Sequence, residues 1–260
     1  MILILLLNIF IIILYLFMQI ENEVDINDFK INKKSKFEDN TILSKLNSQK
    51  LYLILEHANI ELTKNKKNPE IINSDDHIQL IKKMGKNLED YRPDVLYQCL
   101  LFLFNSPLNL SGKLQVFIHT KENILIELNP KLKIPKTNKR FNALIAQCIN
   151  NMRIRAKNSS EILMKVVKNP VTNYLPLGCK VISTNEKSRL IKLEEFLRND
   201  LNLNEDNNNE SVCFVVGAMS KGDLNINYNT DSISISSYPL TAGIVCAKIA
   251  NCFEKIWNVF

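Results

Sequence analysis

The chain has 260 residues and a mass of 30.0 kDa, long enough to bury a sizeable core. A hydrophobic fraction of 46% with 23% charged residues excludes a mostly disordered chain and a polytopic membrane protein. The net charge of +6 is unevenly spread: residues 131–168 hold ten basic side chains and one acid, Glu161, while the other 222 residues sum to −3. Such a block on a mildly acidic chain is the footprint of a polyanion partner. The 34 Asn and abundant Lys and Ile suggest A/T-rich codons, which lowers the weight of surface lysines. Arg140, Arg153 and Arg155 are not explained that way.

Residues 1–20 carry no charge, and their polar residues are Asn8, Tyr15 and Gln19. A helix of that length spans roughly 30 Å, enough to cross a bilayer. The segment reads as a signal anchor, or as translated leader ahead of a true start at Met18. No basic region precedes it and no small-residue cleavage site follows, so it is less like a cleaved signal peptide. Residues 21–50 are Asn- and Lys-rich and read as a polar, disordered arm.

Leu51–Leu55 is an apolar run of strand formers and predicts a buried strand. Ser74, Asp75 and Asp76 offer an N-cap and first-turn acids for a helix to about Met84. Val95–Phe104 predicts an apolar helix, with Pro93 in its first turn and Pro107 past its end. Strands are expected at Leu114–His119 and Ile124–Leu128, then a basic loop over 129–140 and an amphipathic helix over Phe141–Met152. Leu163–Val167 suits a strand or a helix. Leu190–Leu197 reads as a helix and Asn202–Glu210 as a polar linker. Val212–Val216 and Ser232–Ser236 read as strands, and Leu240–Phe260 as a long helix. Strands alternating with helices argue for an α/β fold with a largely parallel sheet, and the length suits one large domain or two small ones.

The six cysteines show no C-x-x-C spacing and no neighbouring His, which argues against a zinc site and for small buried hydrophobes in a reducing compartment. No metal is expected. Gly217-Ala-Met-Ser-Lys-Gly222 follows a strand, but Asp223 stands where a phosphate loop needs Lys, so a P-loop is rejected. The glycines still allow close backbone approach to a ligand, or simple turn chemistry. The Ile235–Leu240 loop runs from a strand into a helix; it reads first as a plain strand–helix connection, and it also stands where a parallel sheet forms its ligand crevice. Arg92-Pro93-Asp94 sets opposite charges beside a helix start, consistent with a local ion pair plus a cap. No G-x-S-x-G occurs and no nucleophile surrounds His57, His77 or His119.

Nine strings in order carry a family resemblance: Arg92-Pro93-Asp94, Ser106–Asn109, Gly112–Thr120, Ile134–Thr137, Arg140-Phe141, Lys168–Val171, Gly178-Cys179, Phe214–Ala218 and Ser234–Leu240. Residues 51–260 thereby resemble the small-subunit ribosomal RNA pseudouridine-N1 methyltransferases, the nucleolar essential protein family of the SPOUT superfamily. The resemblance implies a knotted α/β fold with a mostly parallel sheet and a C-terminal trefoil knot that binds S-adenosyl-L-methionine. It implies a homodimer that methylates N1 of a pseudouridine in small-subunit rRNA, in the nucleolus or nucleus, beside pre-ribosomal assembly factors. Its cofactor positions fall on Thr184, Gly217, Gly222, Ile235, Ser236, Ser237, Tyr238, Pro239 and Leu240. Its RNA contacts fall on Arg92, Lys133, Lys136 and Arg140, and Asp94 is the candidate for orienting or deprotonating the base. Lys136 stands where the family usually has Arg, keeping the charge but losing the bidentate fork. Two rivals remain: a non-catalytic rRNA-binding assembly factor using the same basic surface, and a membrane-anchored binding protein if residues 1–20 are real.

Overall fold

A computed structural model describes residues 49–63, 69–157, 159–203 and 211–260. The apolar segment 1–20, nearly all of the arm 21–50, and linker residues 204–210 lie outside them. No helix among the described residues is long and apolar enough to cross a membrane.

The elements in chain order are β1 (Leu51–Ala58), α1 (Ile78–Lys83), α2 (Pro93–Phe104), α3 (Pro107–Leu110), β2 (Leu114–Thr120), β3 (Leu125–Leu128), α4 (Asn138–Asn151), β4 (Arg153–Arg155), β5 (Ile162–Val167), β6 (Lys180–Leu190), α5 (Leu193–Glu195, continued by a π turn over Phe196–Asp200), β7 (Val212–Gly217), β8 (Asp231–Ser234) and α6 (Ala242–Ile256). Eight strands form one sheet in the order β4-β5-β3-β2-β1-β7-β6-β8. The run β2-β1-β7-β6-β8 is parallel, and β3, β5 and β4 extend it as an antiparallel wing. The expected α/β class with a mostly parallel sheet is therefore present.

β1 is central, so both of its faces are buried. Leu51, Leu53 and Leu55 join the larger core with α2, α4 and α6, while Ile54 packs with Phe117, Cys213 and Val215 on the opposite face. Such two-sided burial is why the apolar run shows no alternation. Phe214 meets Phe253 of α6 edge-on, ring centroids 5.8 Å apart. Five of the six cysteines are buried and all are free thiols. Burial pushes the Cys148 thiol up to about 11, so it is inert near neutral pH.

Several expectations need correction. The helix expected from Ser74 starts only at Ile78, because Asn73 Oδ1 accepts the backbone N–H groups of Asp75 and Asp76 and folds 74–76 into a turn. Pro107 does not merely end α2 but opens α3, with Ser106 Oγ accepting the Asn109 N–H. Leu163–Val167 is strand. Leu190 closes a strand rather than opening a helix: β6 runs eleven residues, and the helix begins at Leu193. β4 lies within the basic block where no strand was expected. The last helix starts at Ala242, with Thr241 at its N-cap, and ends at Ile256.

Candidate functional site

β6, β7 and β8 are parallel neighbours, so their carboxyl ends open on one crevice. A cavity of about 680 Å³ lies there. Thr184, Gly217, Gly222, Ile235, Ser236, Tyr238, Pro239 and Leu240 line it, and so do Arg92 and Asp94 from the start of α2. Ser237, also expected in the pocket, is exposed and not on its wall. The reason is local: Ser236 Oγ accepts the Tyr238 N–H at 3.1 Å, making a tight turn that leaves Ser237 outside.

Thr184 stands opposite Ile233 of β8 and donates its hydroxyl to the Val215 carbonyl at 3.2 Å. The β6–β8 ladder then slips, and Ile233 pairs again with Arg189. Asn185 and Glu186, in the slipped stretch, face the cavity. Gly217 ends β7; a Cβ there would stand 3.1 Å from Met219 Cε, tighter than ordinary contact. Gly222 has φ +111°, a conformation that L side chains rarely adopt. The start of α6 completes the wall with Thr241, Ala242 and Val245, and Thr241 makes no side-chain cap, so first-turn N–H groups are left for solvent or a ligand. Asp94, Glu186 and Asp223 place carboxylates around this space, and Arg92 and Lys221 place cations there.

Arg92 is the N-cap residue of α2, Pro93 its first helical residue and Asp94 its first-turn acid. Arg92 Nε and Nη2 donate to the two Asp94 carboxylate oxygens at 2.8 and 2.7 Å. These bonds hold the Asp94 carboxyl below its usual range. The expected ion pair is present; the expected cap is not, since the Arg92 position shows no side-chain cap and Asp94 lies two residues inside the helix.

Lys133, Lys136 and Arg140 are exposed and do not line the cavity. Their loop is nevertheless fixed to α2. Tyr97, one turn beyond Asp94, donates its hydroxyl to the Pro135 carbonyl at 3.0 Å and stacks at 5.2 Å on Phe141 of α4. Leu132 is buried beneath the loop. One helix thus carries Arg92 and Asp94 at the cavity and anchors the basic loop.

The glycine loop is also tied toward Arg92. Ser220 donates to the Glu89 carbonyl, and Lys221 pairs with the Glu89 carboxylate. On the other side Lys187 bridges Asp223 at 2.8 Å. Sequence reasoning missed these straps, the Asn185–Glu186 wall and Gln98, all of which depend on chain segments distant in sequence.

Below this loop is a buried polar cluster. Ala218 N–H bonds the Glu56 carbonyl, and the buried Glu56 carboxylate meets His119 Nδ1 at 2.6 Å and accepts the Tyr228 hydroxyl at 2.8 Å. His119 Nε2 lies 2.9 Å from Asn123 Oδ1, whose orientation is set by the Asn169 amide donating to it. Both ring nitrogens face acceptors, so the imidazole holds its proton more strongly than usual, first through Glu56.

The family described as EMG1/NEP1 methyltransferase matches residues 53–254. The chain is 41% identical over 211 residues to the Drosophila melanogaster "Ribosomal RNA small subunit methyltransferase NEP1", covering 81% of this chain and 84% of that protein. It is 37% identical over 217 residues to the Homo sapiens protein of that name, covering 83% and 85%. Among solved structures, Archaeoglobus fulgidus Nep1 bound to S-adenosylhomocysteine superposes with a TM-score of 0.63 at 20% identity, over 80% of this chain and 98% of that one, a likeness of fold.

Proposed function

The chain belongs to the EMG1/NEP1 methyltransferase family, and from that membership we propose that it transfers a methyl group from S-adenosylmethionine to N1 of a pseudouridine in small-subunit ribosomal RNA. The observation that carries this reading is the single cavity in which Thr184, Gly217, Gly222 and the Ile235–Leu240 loop meet Arg92 and Asp94.

The cavity fits the cofactor. A side chain at Gly217 would press on Met219 and one at Gly222 would be strained by its backbone angle, and both glycines lie on the cavity wall. When bound, S-adenosylmethionine supplies a methyl group on an electrophilic sulfonium. The residues of the chain therefore bind and orient. Thr184, the two glycines and the 235–240 loop hold the nucleoside. Lys133, Lys136 and Arg140 grip RNA phosphates on the loop anchored by Tyr97, and Arg92 reaches RNA at the mouth of the cavity. The target base must leave its stack to enter, which costs least in a hairpin loop. Asp94, kept ionised by Arg92, is a weak base; its part is to hold the guanidinium toward the RNA.

The C-terminal trefoil knot, the homodimer and a place in the nucleolus or nucleus among pre-ribosomal factors belong to the same reading. Phe102 of α2, half-exposed, lies against Gly243 of α6, and Ile244, the next residue on α6, is also half-exposed; such apolar exposure supports a covering second copy. Calorimetric titration with S-adenosylmethionine, with and without a pseudouridine hairpin, tests the reading. Saturable one-site binding is expected in both cases. Absence of binding in both overturns it.

A further inference from the structure

The basic block divides in the fold. Lys133, Lys136, Lys139 and Arg140 cluster at the start of α4, while Arg153 and Arg155 lie beyond its far end. α4 has fourteen residues, so about 21 Å separates the two groups.

They also sit on different faces. Phe141, Ile145 and Cys148 turn α4 onto the larger core, and Ile154 of β4 packs on that same side. Arg153 belongs to the opposite face: a cross-strand row runs Phe117, Glu127, Lys165, Arg153 across β2, β3, β5 and β4. Phe117 lies in the smaller core, which is roofed by Val171, Leu175, Leu224 and Tyr228. The roof reaches Leu125 of β3 and Val167 of β5, at the near end of the wing, and includes no residue of β4 among the described residues.

The charges in that row are unbalanced. Arg153 stands directly opposite Lys165, and like charges placed so repel. Glu127 takes Lys165 at 2.9 Å, and Lys131 takes Glu161. Among the described residues, Arg153 then has no ion pair and Arg155 donates only to the Ser160 carbonyl. Both are exposed, and β4 is the sheet's edge. Cationic residues on an edge strand also deter strand addition. That role explains one edge charge. It does not explain a repulsive pair carried one strand inward.

We propose that the β4 edge, with Arg153 and Arg155, is a second phosphate-binding surface, which takes the RNA stem that extends past the target loop. The inference rests on the proposed RNA substrate and adds the part of that substrate which the cavity does not read. RNA reaching it must pass around the β4 edge, so only an RNA longer than the target hairpin engages both groups.

The test compares a short pseudouridine hairpin with one carrying an extended stem, using wild type and an Arg153→Gln/Arg155→Gln double variant. Wild type should bind the longer RNA more tightly. The double variant should methylate the short hairpin normally. On the longer RNA it should lose roughly tenfold in affinity, and its log–log salt slope should fall by about two units. Arg140→Ala serves as the contrast, weakening both RNAs alike. Unchanged binding of the longer RNA by the double variant overturns the proposal, as does lost solubility with an unchanged salt slope, which is edge protection. A wild type that methylates the short hairpin but binds both RNAs equally overturns this inference alone. A wild type that methylates neither overturns the proposed function as well.

Discussion

Arg92 and Asp94 form a two-pronged pair, 2.8 and 2.7 Å, that joins the N-cap of α2 to its own first turn at the mouth of the cavity. The pair is half-exposed, so its worth lies in aiming a guanidinium more than in stability.

Asp94→Gly should therefore weaken RNA binding and leave S-adenosylmethionine affinity near normal. It should also lower the melting temperature slightly, since Gly loosens the first helical turn and removes an acid from the helix start. Asp94→Asn keeps the shape and removes the charge. It should lose RNA affinity with little change in melting temperature. Because the folded-state pKa of Asp94 is lowered, its contribution is present above the unfolded carboxyl value and is lost as pH falls through the folded one. Collapse of cofactor binding in either variant contradicts the division between an RNA side and a cofactor side.

Gly217→Val should abolish cofactor binding in a chain that remains folded by circular dichroism. The first added atom already presses on Met219 Cε at 3.1 Å, and the branched methyls would push that flexible side chain into the cavity. Normal calorimetric binding by a folded variant would place the cofactor elsewhere.

Arg140→Ala should weaken hairpin binding and reduce the salt slope by about one unit, the signature of one lost phosphate contact. Arg140 is exposed on a helix fixed through Phe141 and Tyr97, so the fold should be unaffected. An unchanged slope removes Arg140 from the phosphate contacts.

His119 gives a pH test of the cluster beneath the cavity. Its folded pKa is raised, mainly by the Glu56 bond, so its stabilisation is fully present below the ordinary His value and is lost as pH rises through the folded one. Thermal melts from about pH 6 to about pH 9 should show wild type losing stability relative to His119→Gln, which cannot titrate. Parallel curves for the two proteins would contradict the charged pairing.

What was legible in the sequence follows from how each segment is buried. Val212–Val216 and Leu51–Leu55 are covered on both faces, so composition alone marks them as strands. β6 was hidden because only Val181, Ile182 and Ser183 are buried; its second half, Asn185–Leu190, is mostly polar and exposed and is held in the sheet through the β8 ladder. β4 was hidden because three residues at an edge, two of them arginines, carry no apolar pattern. The cavity residues Gly217, Gly222 and the 235–240 loop were legible from glycines and a strand-to-helix turn. Glu186, Gln98 and the Glu89 strap were not, since nothing local distinguishes them from surface residues. Charge counting found the basic block but not its division, because only the sheet register sends Arg153 to the face opposite α4.

The most direct test of the central claim is single-turnover methyl transfer from S-adenosylmethionine to paired RNA hairpins, identical except that one carries pseudouridine and the other uridine at the target position. The account predicts one methyl group per hairpin on N1 of the pseudouridine, none on the uridine hairpin, and a loss of transfer in Gly217→Val. Tight binding of the pseudouridine hairpin with no transfer at saturating cofactor would contradict it and leave a non-catalytic RNA-binding factor in its place.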